Sequence, residues 1–203
     1  MATSTYMQGR KKYQRPQAIL FADNPGTLDI VTNSYVPDGY EVGDKDYTSG
    51  DFLILSDDGR DPISVKVDRI ESRQRMVNGR MRSYHVADKL NLSTSWKLLP
   101  SRSFNGDPAF DAITGTPLAA NYTTDGGAGG VALLDWYNNH TGSFWVYLSY
   151  DNYENFAGEN KYQHLNQYSE VREMFISDFN YSIQKRGGTN FDMWDISIAL
   201  EEA

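Results

Sequence analysis

Glu173-Met174-Phe175-Ile176-Ser177-Asp178-Phe179-Asn180-Tyr181-Ser182-Ile183 and, further on, Asp192-Met193-Trp194-Asp195-Ile196-Ser197-Ile198-Ala199-Leu200 decide the fold. In the first run Phe175, Phe179, Tyr181 and Ile183 alternate with polar residues. In the second, Trp194, Ile196, Ile198 and Leu200 alternate with Asp195, Ser197 and Ala199. Successive side chains of a strand point to opposite faces, so alternation of this kind predicts half-buried strands. Gly187-Gly188 lies between the runs, where a bend needs positive φ, and the pair is expected to close as a β-hairpin.

Working outward, Ser143–Tyr150 reads as another strand, with Phe144, Val146, Leu148 and Tyr150 on one face and Trp145 and Tyr147 on the other. Before it, Leu133, Trp136, Tyr137 and His140 fall at helical spacing, which predicts a helix over Val131–His140 that stops at Gly142. His140, at the helix end, is expected to face the negative end of the helix dipole. Leu90–Leu98 predicts a strand with Leu90, Leu92, Thr94, Trp96 and Leu98 on one face, ended by Pro100. Gln17–Ala22, Leu28–Val31 and Asp51–Ser56 read as short strands. Asp57-Asp58-Gly59 is expected to turn the last of these back onto Ile63–Val67. Asn33–Gly50 and Asn152–Tyr168 read as polar loops. Ser101–Gly130 is a long connection, and the glycines of Gly126–Gly130 read as a flexible hinge.

Asn78-Gly79, between two extended runs, predicts a two-residue type I′ turn joining Arg69–Val77 to Arg80–Val86. These arms carry Arg69, Arg73, Arg75, Arg80 and Arg82 against one acid, Glu71. Three readings stand: a solvated edge whose charge blocks aggregation, a tongue for the acidic face of another copy, or a DNA contact. The last is weakened by the acidity of the remainder. The net charge is −8, with +4 in residues 1–16 and −12 in the rest, and phosphates repel such a body. Residues 1–16, with Arg10, Lys11 and Lys12, are expected to form a basic arm; 17–203 is expected to be a single β-rich domain.

A chain of 203 residues buries roughly 70% of its unfolded surface, enough for a core without staples. The absence of cysteine removes disulfides, thiol nucleophiles and cysteine-ligated zinc. No apolar run approaches the ~20 residues of a membrane helix, and the polar N-terminus does not resemble a signal peptide. The expectation is a soluble protein made in the cytosol, without a membrane span.

The search for chemistry yields exclusions. His85, His140 and His164 have no zinc spacing. Asp44–Gly50 begins like a calcium loop, but its glycine is one place late and Leu55 stands where the closing glutamate belongs. The glycines before the helix lack the Lys-Ser/Thr of a phosphate loop, and there is no Gly-x-Ser-x-Gly elbow. No catalytic, cofactor or metal residue is assigned, and the chain is expected not to be an enzyme. Trp136, Trp145, Tyr147, Tyr150 and Tyr153 read either as core and subunit contact or as a sugar-stacking platform.

The order of helix, Gly142–Tyr147 strand and terminal Phe191–Glu202 resembles structural tail proteins of tailed bacteriophages, of the minor-tail and distal-tail group. The likeness covers about Leu133–Glu202; Met81–Trp96 is similar to the long strands of tail-tube-like folds. The resemblance implies a mainly β fold, a β-barrel or β-sandwich with one flanking helix and long loops. It implies a virion component forming a homo-oligomeric ring, commonly a hexamer, at the tail tube, tip or baseplate. Its partners would be its own copies, other tail proteins, and DNA passing through the channel without specific binding. The subunit-interface candidates are Arg10, Lys11, Lys12, Arg73, Arg75, Arg80, Arg82, Trp145 and Tyr147. The alternative function is a carbohydrate-binding β-sandwich module at a host-recognition surface.

Overall fold

The computed structural model describes residues 18–29, 34–36, 52–102, 123, 125, 127–150, 168, 170–186 and 191–203. They form β1 (Ile19–Ala22), β2 (Thr27–Asp29), β3 (Ser34–Val36), β4 (Phe52–Ile54), β5 (Ser64–Arg75), β6 (Met81–Pro100), α1 (Gly130–Asn139), β7 (Phe144–Leu148), β8 (Glu170–Arg186) and β9 (Asp192–Glu202). The fold is mainly β. One antiparallel sheet runs β4-β1-β7-β8-β9-β6-β5, and β2 pairs with β3 apart from it. No described helix is long and apolar enough to cross a membrane. The Asp44–Gly50 segment, the Gly187-Gly188 bend, His164 and Tyr153 lie outside the described residues.

The expected C-terminal hairpin is the centre of the sheet. β8 pairs with β9, and β9 pairs on its other side with β6. Trp194, Ile196, Ile198 and Leu200 are all buried on one face, as their alternation requires. Leu90, Leu92, Thr94 and Trp96 of β6 share that face. The helix packs there through Leu133 and Trp136. Tyr137 stacks on Phe179 at 4.7 Å, and His140 stacks on Trp136 at 3.8 Å. The imidazole Nδ1 of His140 is 2.9 Å from the Trp136 carbonyl, in the last helical turn, and Nε2 is 2.7 Å from Asp23. Both faces of β7 are buried: Phe144, Val146 and Leu148 join the main core, and Tyr147 a smaller one with Leu20, Phe52, Ile54 and Tyr168.

Several expectations are corrected. β4 does not pair with β5; the two lie at opposite ends of the strand order. The sheet is not closed into a barrel, and the connection between these strands crosses back to β6. There the Trp96 indole donates to the Ser56 carbonyl at 2.7 Å, Asp61 N–H to Ser95 at 2.7 Å and Lys97 N–H to Gly59 at 3.0 Å. Leu98 leaves the core face because the β6/β9 register shifts between Trp96 and Leu99. It takes φ +55°, and Leu99 is buried instead. A second shift, between Ile176 and Asp178, separates Phe175 from Phe179 and leaves Phe175 exposed. A bulge inserts one residue and so reverses which parity faces the core.

The glycine-rich stretch is a packed seam, not a hinge. A Cβ on Gly127 would lie 2.5 Å from Ser56 Cα, on Gly129 2.8 Å from the Pro100 carbonyl oxygen, and on Gly130 2.8 Å from the Trp194 ring. Glycine is required at 127 and 129 because backbone meets backbone, and at 130 because the Trp194 ring lies against it. Gly59 is constrained twice: φ is +64°, and a Cβ would approach the Lys97 oxygen to 2.8 Å. Gly79, at φ +78°, has open space around it. Gly59→Ala should therefore cost about 2 kcal/mol in urea unfolding, and Gly79→Ala about 1 kcal/mol or less. Equal losses would count against the steric role of Gly59.

Candidate functional site

Only residues 91–100 of β6 pair with β9. Among the described residues, the earlier part of β6 pairs with β5 alone, so Arg69–Arg75 and Met81–Asp88 leave the body as a two-stranded ribbon. Its turn differs from the expected one. Met76 N–H donates to the Arg80 carbonyl at 2.8 Å and Gly79 N–H to the Met76 carbonyl at 2.9 Å. Gly79 has positive φ and Asn78 does not. The loop is thus three residues, Val77-Asn78-Gly79, with glycine in the left-handed position. The Asn78 side chain accepts from Arg80 N–H at 3.1 Å.

A register shift follows lower down. Ile70 pairs with Ala87 and Glu71 with His85, which leaves Val86 as the extra residue on β6 while β5 runs on unbroken. Continued alternation along β5 puts Arg69, Glu71, Arg73 and Arg75 on one face, the face of Val65 and Val67. Arg80 and Arg82, paired with Met76 and Gln74, fall on the other. The five arginines are therefore split between two faces.

Their charges are also unequally spent. Arg69 binds Asp88 at 3.0 Å, and Arg73 pairs with Glu71. Ser83 Oγ donates to Glu71 at 2.5 Å. Hydrogen bonds from Ser83 and Arg73 hold the Glu71 carboxyl below its usual range, and those from Arg69 and His85 do the same for Asp88. Arg75, Arg80 and Arg82 form no ion pair among the described residues and are exposed.

What the sequence did not reveal is how apolar the ribbon is. Val67, Ile70, Met81 and Val86 are about half exposed or more, Tyr84 is 73% exposed, and Val77 at the tip is fully exposed. A ribbon of two strands has no core of its own and leaves both faces to solvent. Its root is held firmly. Leu90 N–H donates to Glu202 at 2.7 Å, Arg172 bridges Glu202 at 3.4 Å and Glu170 at 2.8 Å, and Lys89 donates to the Ala203 carbonyl.

The remaining candidates are not gathered at this site. Arg10, Lys11 and Lys12 lie outside the described residues. Tyr147 is fully buried, its hydroxyl donating to the Asn24 carbonyl at 2.9 Å, so its side chain is not available to a neighbour. Trp145 is half-buried beside it, on a strand that β8 and β9 separate from β6. With Trp136 also buried, neither Trp136 nor Tyr147 offers a face on which a sugar could stack. The chain matches no protein-family model and no curated protein.

Proposed function

We propose that this chain is a non-enzymatic structural component of a bacteriophage tail. Copies form a ring at the tail tube or the tail tip, around the channel through which DNA passes. The observation that carries this reading is the exposed ribbon, basic at its tip and carrying uncovered apolar side chains at Ile70, Val77, Met81, Tyr84 and Val86, on a chain of net charge −8. Monomers rarely keep such a surface uncovered, and opposite charge on tip and body supplies the complementarity that repeated head-to-tail contacts need. The tail class is proposed from the resemblance of Leu133–Glu202 to tail proteins. A sugar-binding role finds no comparable support, because Trp136 and Tyr147 are inside.

Light scattering on the purified protein tests this. A ring-sized mass is expected at low salt, falling as salt rises. Replacing Arg75 and Arg80 by Glu should weaken association about tenfold or more, with the β-sheet circular dichroism unchanged. A double variant that assembles like the parent would remove the ribbon from the contact.

A further inference from the structure

β5 has β6 on one side and, among the described residues, no strand on the other. Such an edge carries a row of unpaired N–H and C=O groups, and sheets commonly guard it with proline, a bulge or charges that repel a second copy. From Ser64 to Glu71, β5 has no proline, and the extra residue of the nearby bulge is on β6. Its charges alternate in sign: Lys66, Asp68, Arg69, Glu71. Its β-branched side chains are uncovered on both faces, with Val67 58% and Ile70 48% exposed.

We infer that β5 pairs antiparallel with β5 of a second copy, about a two-fold axis through Ile70. In antiparallel pairing, directly opposed residues share a face, so a two-fold normal to the sheet must place one residue opposite itself. With Ile70 on the axis, Ile70 meets Ile70 of the partner subunit. Arg69 meets Glu71 of the partner subunit, and the reverse pair forms by symmetry. Opposite charges and β-branched pairs directly across a ladder stabilise it. Arg75 then falls opposite Val65 of the partner subunit, so each basic tip lies along the start of the other copy's β5. The alternative axis through Val67 also opposes Lys66 to Asp68, but it pairs a shorter length of strand and leaves both tips free of the partner. The Ile70 axis makes a four-stranded ribbon, β6-β5-β5-β6. A two-fold contact does not itself close a ring; it joins two copies, or two rings, and so stands apart from the proposed function.

The natural absence of cysteine makes the test direct. A residue on the axis opposes itself, so Ile70→Cys should give mostly disulfide-linked dimer on a non-reducing denaturing gel after mild oxidation. Val67→Cys, as exposed but roughly 20 Å from its own copy in this register, should stay monomeric on the gel. The gel reads the two-fold contact whether or not a ring also forms. In the unoxidised protein, Ile70→Lys sets two cations on the axis and should weaken the pair about tenfold or more by light scattering. Cross-linking through Val67 and not Ile70 would overturn the inference. So would an association that Ile70→Lys leaves unchanged, or a parent protein that is monomeric at about 100 μM.

Discussion

Trp96→Ala should lower the unfolding free energy by about 3–5 kcal/mol, a large share of the ~5–15 kcal/mol that domains possess. Trp96 is 1% exposed and among the largest buried side chains. Two effects add. The ring leaves a cavity in the main core, and the surrounding strands relax only partly into it. The indole N–H also leaves the Ser56 carbonyl, its partner at 2.7 Å in the connection that crosses from β4 toward β5. Trp96→Phe separates the terms: it keeps most of the packing, loses the hydrogen bond and should cost about 1–2 kcal/mol. Denaturant midpoints with unchanged slopes would read both. A loss below about 1 kcal/mol for Trp96→Ala would mean that the crossing connection carries little of the fold.

The second large effect is expected at Asp125, which lies within the long 101–130 connection and is buried. Its carboxylate accepts from Ser56 Oγ at 2.8 Å, Asp57 N–H at 2.6 Å and Gly127 N–H at 3.0 Å. Thr123 adds a bond to the Gly127 carbonyl at 2.9 Å. The group thus ties the glycine seam to the end of β4. Asp125→Ala leaves donors without an acceptor in a buried place, so the loss should be about 3 kcal/mol or more. Asp125→Asn keeps the size but turns an NH₂ toward one of these donors, and should fall in between. Hydrogen exchange at Asp57 and Gly127 should accelerate in both variants. Unchanged protection would show that the carboxylate does not hold this seam.

The central strands were legible because each obeys one alternation: β7, β9 and the Leu90–Trp96 part of β6 face as their patterns predict. Legibility ended where backbone geometry changes parity. Nothing in the residues around Leu98, Ser177 or Val86 announces an extra residue in the ladder, since a bulge is set by the neighbouring strand. Ile63–Val67 alternates well, but alternation says that a strand forms and not which strand it joins. The glycines of 127–130 read as freedom because a sequence does not show what backbone approaches them. The basic ribbon was legible as charge. Its exposed valines were not, since the same residues in a sheet interior would be core.

The placement of β9 sets when the two halves of the sheet can join. Leu92 finds its neighbour Leu200 only when the last strand arrives, so β6 and β8 wait with open flanks during synthesis. Contacts this distant in sequence slow the search for the native state, because loop closure comes before the reward. Until then, Leu90, Leu92 and Trp96 are sticky surface rather than interior. On the ribosome, the basic ribbon β5–β6, whose pairing is local, can zip early while the core that will anchor it remains unmade.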